Sequence, residues 1–325
     1  MRLTRAQRVL TILLVGGLVV GVGSLMASLT ACSGRMGSPA RRAGLSAEPT
    51  RAAEPSEPAT GISLAATPTP LAQTPANTAT TTETAAVAVN RPPTVTFDAA
   101  ATMRHVRTLS GQIGERTAGS KGEREAAAYL QSQLSAAGYA SQLRSFPLPD
   151  GSKSQNVVAV LPGSSELRII LGAHYDTKRP SPGANDNGTG VGALLEIARE
   201  LKTKKLTPTI EFVFFGAEEM IDSNPDHHHY GSRFHVAQMT DAERERTAGM
   251  LSVDMIGYGP ELRVRTMNVG PQTLRRDLLA FARSKGVKAS YLKDPGKYGW
   301  SDHEPFELAG MPAAWTIRNQ SGTRA

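Results

Sequence analysis

From residue 95 onward, short apolar runs alternate with stretches in which apolar residues recur every three or four positions. Apolar runs bounded by turn residues predict buried strands, and the three- to four-residue spacing predicts amphipathic helices. Strands are predicted at 156–161, 167–171, 210–215 and 250–253. Helices are predicted at 98–109, from about 123 to a stop at Gly138, at 191–201, and from 274 to a stop near Gly286. This alternation indicates an α/β fold whose sheet is largely parallel at its centre.

Ionisable side chains stand where three of the predicted strands end. His174 and Asp176 follow the first of these strands, Glu218 and Glu219 follow the next, and Asp254 follows the last. Open α/β sheets bind ligands beyond the carboxyl ends of their strands. Imidazole and carboxylate groups are donors that Zn²⁺ and similar ions accept. The pattern therefore predicts a metal site at this edge of the sheet.

Two features extend this predicted site. Asp186 lies in a Gly-rich loop before the helix that starts at Val191, and it adds a further carboxylate. Neighbouring residues that leave a strand point in different directions, so one carboxylate of the Glu218–Glu219 pair can bind a metal while the other faces water above it. A Glu-Glu pair alone is usually a solvated loop. Five such groups on separate elements are hard to explain as surface charge.

Charge excludes one class of partner. The formal net charge is +7, but residues 1–94 hold eight basic and four acidic residues, which leaves 28 basic and 25 acidic residues from 95 onward. Interleaved charges of both signs are typical of a solvated surface, and no nucleic-acid-binding motif is present. We therefore expect no nucleic-acid partner.

The N-terminus resembles a membrane-targeting segment. Basic residues precede an uncharged stretch at 9–31, so 1–31 is predicted to be a signal peptide or a membrane anchor. Residues 29–32 resemble the lipobox of bacterial lipoproteins, in which Cys32 would carry lipid and begin the mature protein. An uncleaved transmembrane helix is the alternative. Both predict an extracytoplasmic protein that is anchored to a membrane.

Two further regions follow from composition. Residues 32–94 are rich in Pro, Thr and Ala and contain few large apolar side chains, so they are predicted to be a disordered linker. Residues 95–325, which carry the predicted strands, helices and metal site, are predicted to form the folded domain. Cys32 is the only cysteine, which excludes an internal disulfide and a Cys-type zinc site.

The segments that carry the predicted site, together with two others, occur in the order found in a known family. They are Arg116–Ser120, His174–Asp176, Asn185–Gly190, Glu218–Glu219, Ser252–Asp254 and Ser301–Phe306. Over about 97–318 the chain resembles the co-catalytic zinc aminopeptidases, which include aminopeptidase Y and bacterial leucine aminopeptidases. Glutamate carboxypeptidase and glutaminyl cyclase are relatives. The resemblance implies a three-layer α/β/α sandwich with a mixed sheet, as in zinc exopeptidases.

The resemblance also implies two zinc ions per chain and a role for each site residue. Asp186 would bridge the two ions, His174 and Asp254 would complete the ligands of one, and Glu219 would bind the other. Glu218 would be the general base that activates a metal-bound water, and Asp176 would orient a ligand from behind. The substrate would be a peptide that loses its N-terminal residue.

One departure from the family pattern makes the second zinc site doubtful. In the family, a last His ligand follows the segment that matches 311–317, whereas 318–325 contains no His, and the usual terminal helix is missing too. The domain is therefore expected to lack its C-terminal end. Candidate replacement ligands are His227, His228, His229 and His303. The alternatives are a catalytically impaired homologue and a zinc enzyme of the glutaminyl cyclase or carboxypeptidase type. His105 and His235 are predicted to be structural or surface residues.

Overall fold

The computed structural model describes residues 97–319. The predicted leader at 1–31, the predicted linker at 32–94 and Cys32 lie outside these residues, and so does 320–325. Within the described range, no helix is both long enough and apolar enough to cross a membrane.

The described chain forms eight strands of one sheet and seven α-helices. The strands are β1 (Ser141–Pro147), β2 (Lys153–Leu161), β3 (Arg168–His174), β4 (Thr209–Phe215), β5 (Thr247–Val253), β6 (Glu261–Thr266), β7 (Ala289–Lys293) and β8 (Ala313–Asn319). The helices are α1 (Ala99–Arg107), α2 (Lys121–Ala136), α3 (Gly190–Leu201), α4 (Tyr230–Gln238), α5 (Asp241–Arg246), α6 (Thr273–Ser284) and α7 (His303–Leu308). Two irregular π-helical turns cover Thr108–Ile113 and Ala184–Thr189.

The sheet is mixed and has a parallel centre, as predicted. The strand order is β1-β2-β4-β3-β5-β8-β6-β7. β4, β3, β5 and β8 run parallel to one another. On one side, β2 is antiparallel to β4 and β1 is antiparallel to β2; on the other, β6 is antiparallel to β8 and parallel to β7. The carboxyl ends of the four central strands therefore meet at one edge of the sheet.

Helices cover both faces of the sheet, which confirms the three-layer arrangement. Alternate residues of a strand face opposite sides, so Ile169 and Leu171 pack against the helices of one layer while Ile170 packs into the other. The larger layer includes α2, α3 and α6, and the smaller one includes α4 and α7. A leucine buried in such a core stabilises the fold by roughly 1.5–3 kcal/mol.

Local signals explain where the predicted helices begin and end. The Asp98 carboxylate accepts hydrogen bonds from the backbone N–H groups of Ala100 and Ala101, at 2.8 and 3.0 Å, and so caps α1. The Ser120 hydroxyl accepts a bond from the Glu123 N–H and caps α2. Beyond α2, Gly138 has a φ of +85°, which favours glycine and ends the helix as predicted.

Several elements differ from the sequence prediction. β3 is predicted at 167–171 but continues to His174, because its backbone stays paired with β4 as far as Phe215 and the absence of a side chain at Gly172 leaves room for the Phe215 ring. A Cβ atom on Gly172 would lie 2.4 Å from the ring of Phe215. The sequence did not predict β1, β6, β7, β8, α4, α5 or α7. In β1 only Phe146 is buried, so its pattern lacks a clear apolar face.

Candidate metal centre

His174, at the carboxyl end of β3, is buried and lies among carboxylates. Its Nε2 atom lies 3.1 Å from Asp186 Oδ1, 3.3 Å from Asp254 Oδ1 and 3.9 Å from Glu218 Oε2. Its Nδ1 atom lies 3.5 Å from Asp176 Oδ1. Burial alone would lower the pKa of His174, but the carboxylates of Glu218 and Asp254 outweigh it and raise the pKa well above its usual value. The structure thus brings together five of the six predicted site residues around one ring.

The donor set around His174 fits a zinc ion. One ligand atom from each of His174, Asp186 and Asp254 lies within 4.8 Å of the others. Two ligands of one tetrahedral zinc, each about 2.0–2.2 Å from the ion, lie roughly 3.3–3.6 Å apart, and the Nε2–Oδ1 distances of 3.3 and 3.1 Å are at and slightly below the short end of this spacing. Asp254 Oδ1 is also buried without a hydrogen-bond partner. A cation among these atoms would satisfy that oxygen.

The Gly-rich loop is fixed to the segment after β5, which places Asp186 beside Asp254. The Asn187 side chain donates a hydrogen bond to the carbonyl oxygen of Val253 at 2.9 Å. Its Oδ1 atom accepts bonds from the N–H groups of Gly190 and Met255, at 3.0 and 3.2 Å. A Cβ on residue 190 would lie 2.1 Å from the Val253 carbonyl oxygen, so this close approach requires glycine.

Two further residues of this loop make similar bonds. Thr189 Oγ1 accepts a hydrogen bond from the N–H of Ile256 at 3.1 Å, and Asn185 Oδ1 accepts one from the N–H of Gly257 at 3.1 Å. The polar residues on both sides of Asp186 therefore bind the backbone that follows Asp254. The Asp186–Asn187 peptide bond is cis.

Arg116 connects the loop after β3 to the loop that carries Asp186. Its buried guanidinium donates hydrogen bonds to the carbonyl oxygens of Tyr175, Pro182 and Gly183, at 2.7, 2.7 and 3.0 Å. Burial lowers the pKa of Arg116 to about 10, so the group stays protonated at neutral pH. The sequence flagged the segment that contains Arg116 but assigned it no role. Its contacts show that it supports the site from behind.

Asp176 fixes the turn that carries the two glutamates. Its Oδ1 atom accepts a hydrogen bond from the N–H of Glu218 at 3.0 Å, and its Oδ2 atom accepts one from the N–H of Glu219 at 3.1 Å. The same carboxylate lies beside the Nδ1 atom of His174. Asp176 thus contacts both the imidazole and the backbone of the Glu pair, from beneath the site.

The two glutamates point to different environments. Glu218 is buried and faces His174, and burial, the largest influence, raises its pKa well above the usual value. Glu219 lines a cavity of about 440 Å³. Burial, together with the neighbouring Glu218 and Asp186 carboxylates, raises the pKa of Glu219 to about 9. The two side chains therefore have different surroundings. That one of them binds a metal while the other faces water stays a prediction.

Glu219 has few partners for a second metal. Burial opposes ionisation of Asp186, but the contact with His174, and after it a hydrogen bond with the Glu219 carboxyl, lowers the pKa of Asp186. In the part of the chain that the structure describes, Glu219 joins no compact group of three metal-binding side chains. Asp186 therefore lies between two possible metal positions. One has three donor residues, His174, Asp186 and Asp254, and the other has two, Asp186 and Glu219.

The candidate replacement histidines lie elsewhere. His227 Nδ1 is 2.7 Å from Asp222 Oδ2, and His303 Nε2 is 2.9 Å from Asp294 Oδ2. His228 and His229 group with Glu304, and His229 contacts Glu218 rather than Glu219. None of these rings is placed as a ligand with Glu219. His105 bonds to Tyr129, and His235 is buried in the core, in agreement with the structural roles predicted for them.

Ser301 is a site residue that the sequence did not single out. Its hydroxyl donates a hydrogen bond of 2.9 Å to Asp254 Oδ2 and lies 2.9 Å from the hydroxyl of Ser252. This bond occupies one Asp254 oxygen and leaves Oδ1 facing His174. Ser301 belongs to a segment that resembles the family, but only the folded chain shows which atom it binds.

Comparison with known proteins agrees with this geometry. Residues 156–324 match the model of Peptidase family M28. The chain is 31% identical over 202 residues to leupeptin-inactivating enzyme 1 of Streptomyces exfoliatus, a match that covers 61% of this chain and 43% of the relative. It is 32% identical over 168 residues to aminopeptidase YwaD of Bacillus subtilis, covering 50% of this chain and 35% of the relative. The chain thus spans less than half the length of these curated relatives.

Another relative and two solved structures extend the comparison. Probable lipoprotein aminopeptidase LpqL of Mycobacterium tuberculosis is 33% identical over 178 residues, covering 50% of this chain and 34% of the relative. The zinc aminopeptidase BSAP from Bacillus subtilis superposes with a TM-score of 0.63 at 19% identity, covering 72% of this chain and 88% of that one. An Acidobacteriales bacterium glutaminyl cyclase superposes with a TM-score of 0.62 at 25% identity, covering 74% and 86%. These structures share the fold.

Proposed function

We propose that this chain, which belongs to peptidase family M28, is a zinc-dependent aminopeptidase that removes N-terminal residues from peptides. The observation that carries the proposal is the group of carboxylates around the buried ring of His174, with Glu218 beside it. Family membership and the names of the relatives support the reaction class.

The metal would be held by residues that already face one another. His174, Asp186 and Asp254 would bind one zinc ion, and Asp186 with Glu219 would offer a second ion only two residues. Zinc bound here supplies a Lewis acid that lowers the pKa of water toward neutrality and polarises a carbonyl. Because zinc sites normally have three or more protein ligands, we expect the second ion to bind weakly.

Glu218 would be the general base. Its Oε2 atom lies 3.9 Å from His174 Nε2, at the edge of the proposed zinc position, where it can accept a proton from water. A positioned general base contributes about 10²–10⁴-fold to a rate. The same carboxyl would then deliver the proton to the leaving amine. Its burial keeps bulk water from competing for the proton.

The surrounding residues keep this arrangement in place. Asp176 binds the backbone of the turn that carries Glu218, and Ser301 binds the outer oxygen of Asp254. Arg116 joins the two loops beneath them. Each of these groups acts through another residue, so each orients the site rather than touching the substrate.

A panel of four substrates tests the proposed reaction. We expect zinc-loaded protein to hydrolyse a leucyl anilide and a leucyl dipeptide but not the N-acetylated dipeptide, because an aminopeptidase requires a free amine. A glutaminyl dipeptide serves as the fourth substrate, since one solved structure with this fold is a glutaminyl cyclase. Cyclisation of that peptide without hydrolysis of the leucyl substrates would replace the aminopeptidase proposal with the cyclase one.

We further propose that the protein is attached to a membrane outside the cytoplasm through lipid on Cys32. The lipobox-like sequence and the relative named as a lipoprotein aminopeptidase support this. Cys32→Ser should abolish incorporation of labelled palmitate and leave the precursor uncleaved. Absence of label from the unmodified chain would favour a transmembrane anchor instead.

A further inference from the structure

We propose that His229 is a positioning residue for Glu218: it holds one carboxylate oxygen so that the other faces the proposed metal. This inference rests on the proposed function, because it assigns a role within that reaction. No motif in the sequence indicated it. The sequence indicates His229 only as a candidate replacement zinc ligand.

The contact between His229 and Glu218 is double. The His229 Nε2 atom lies 3.1 Å from Glu218 Oε1, and the His229 backbone N–H donates a hydrogen bond of 2.8 Å to the Glu218 carbonyl oxygen. Next to it, the Tyr230 N–H donates to the Ala217 carbonyl oxygen at 2.9 Å. The chain therefore leaves the site after the glutamates, forms the polar insert at 220–228, and returns to place His229 against Glu218.

The far side of the His229 ring faces a second carboxylate. Its Nδ1 atom lies 3.6 Å from Glu304 Oε2, too far for a hydrogen bond, and is buried without a hydrogen-bond partner among the described residues. Glu304 in turn accepts hydrogen bonds from the Gly299 N–H at 2.6 Å and from Arg233 Nη2 at 3.2 Å. The His228 ring packs edge-on against His229, with centroids 3.9 Å apart. A buried imidazole between two carboxylates and a neighbouring ring has little freedom to rotate.

In this placement the two carboxylate oxygens of Glu218 face different groups. Oε1 faces His229, whereas Oε2 faces His174 and the proposed metal. Without the His229 ring, the Glu218 side chain could rotate about its last bond. Its proton-accepting atom, Oε2, would then no longer point toward the proposed metal position. Misplacement of a reacting group by about 1 Å can cost roughly 100-fold in rate.

A metal bound by His228, His229 and Glu304 is the competing explanation, since their ligand atoms lie within 4.8 Å of one another. The surrounding charges argue against it. Arg233 Nη2 lies 3.1 Å from His228 Nε2 and 3.2 Å from Glu304 Oε1, so a cationic side chain already stands in the group. Zinc analysis of the variants below distinguishes the two explanations.

The test compares substitutions at two histidines of the same insert. His229→Ala removes the contact, whereas in His229→Gln the amide nitrogen can replace Nε2 as a donor. His227→Ala and His227→Gln are the matched controls, because that ring contacts Asp222 and Asn224, away from Glu218. We expect His229→Ala to lower kcat by about 10- to 100-fold, with KM and zinc content unchanged. His229→Gln should recover most of the loss, and the His227 variants should match the unmodified chain.

Several outcomes would overturn the inference. The first is a kcat for His229→Ala above half of the unmodified value. The second is an equal loss of kcat in His229→Ala and His229→Gln while both variants stay folded. The third is loss of zinc from His229→Ala. The last would assign His229 to a metal instead.

A measurement without turnover separates this inference from the proposed function. In ¹⁵N NMR of the full chain, the Nε2 resonance of His229 should be that of a protonated nitrogen, and it should shift in Glu218→Gln while His227 does not. If the unmodified chain hydrolyses no peptide, the proposed function fails, and with it the catalytic role of His229. The NMR comparison then still decides whether His229 holds Glu218, and an unshifted Nε2 would exclude that contact.

Discussion

Two buried groups of histidine and carboxylate lie at opposite ends of β3 and β4. At the carboxyl ends, His174 faces Asp186, Asp254 and Glu218. Toward the amino ends, His235 Nε2 lies 3.9 Å from Glu211 Oε1. Both groups combine imidazole with buried carboxylate, yet their surroundings differ in charge.

The difference lies in the partners of the carboxylates. Glu211 pairs with Arg168 at 3.0 Å and with Arg144 at 3.8 Å, so its charge is compensated. Over residues 97–319, no Lys or Arg forms an ion pair with the carboxylates that face His174; the nearby Arg116 bonds to backbone carbonyl oxygens instead. Buried charge is costly unless it is paired or coordinates a metal. The two groups share residue types but differ in whether a basic side chain compensates the carboxylates, and this difference supports the proposed metal at His174.

The largest expected effect is on catalysis at the group around His174, at the carboxyl ends of β3 and β4 (the carboxyl-end group). Glu218→Gln should lower the peptidase rate by about 10²–10⁴-fold because the general base is lost, while zinc content stays the same. Glu211→Gln is the matched substitution at the other end. It should leave the rate per folded molecule unchanged and lower only stability, as followed by thermal unfolding. A Glu218→Gln variant with more than a tenth of the activity would place the base elsewhere.

The next effect is stabilisation by zinc. A ligand at 100 times its Kd stabilises the folded state by about 2.7 kcal/mol, so zinc should raise the Tm of the unmodified chain. His174→Ala, Asp254→Ala and Asp186→Asn should lose this shift, whereas His235→Leu should keep it. The Tm is measured by calorimetry with zinc and with a chelator. Equal shifts in all variants would remove the assignment of the three ligands.

The group of His235 and Glu211, toward the amino ends of β3 and β4 (the amino-end group), should determine part of the loss of folding stability at low pH. Burial, and then the charges of Arg144 and Arg168, lower the pKa of His235 from 6.5 to about 3. As the pH falls, the His235 ring is therefore protonated in the unfolded chain before it is protonated in the folded chain. The stability contributed by neutral His235 is present above pH 6.5 and is lost progressively toward pH 3.

His235→Leu tests this contribution, because the ring packs among apolar groups, including Phe215 and Phe306. Between pH 6.5 and 3, the unmodified chain should lose on the order of a few kcal/mol more unfolding free energy than His235→Leu. Urea unfolding of the chelated proteins at several pH values measures the difference. Parallel pH profiles for the two proteins would show that His235 is charged, or has no influence, in the folded state.

The smallest expected effect concerns the support of a metal ligand. Ser301→Ala removes the hydrogen bond to Asp254 Oδ2, and loss of such an outer contact lowers metal affinity by roughly 10–100-fold. Competition with a chromophoric chelator measures the affinity. Thr316→Ser keeps a nearby buried hydroxyl bond to the Ser252 carbonyl oxygen and serves as the control. Unchanged affinity in Ser301→Ala would mean that β5 alone orients Asp254.

These contrasts also show which features the sequence could predict. His174, Glu218 and Asp254 were found because each follows an apolar run, and parallel strands bring their carboxyl ends together. The contacts of Arg116 and Ser301 join segments that are far apart in sequence, so hydrophobic periodicity cannot predict them. His229 reaches the site through a backbone fold-back at Glu218, which only the folded chain reveals.

The missed elements have similar physical causes. β1 is an edge strand that buries only Phe146, and α7 is a six-residue helix that contains Pro305. Neither has enough periodic apolar positions to predict its structure. The sequence does predict β2 to β5 and the helices α1, α2, α3 and α6, because burial on one or both faces dictates their composition.

The number of zinc ions bound by the 325-residue chain tests the proposed metal centre most directly. Unmodified protein, His174→Ala and His235→Leu would be loaded with zinc, dialysed, and analysed by native mass spectrometry. We predict about one tightly bound zinc per chain in the unmodified protein and in His235→Leu, and none in His174→Ala. Three protein ligands converge around His174, whereas the other group of three among the described residues, His228, His229 and Glu304, already contains the Arg233 guanidinium. No zinc in the unmodified chain, or the same zinc content in all three proteins, would contradict a metal site at His174.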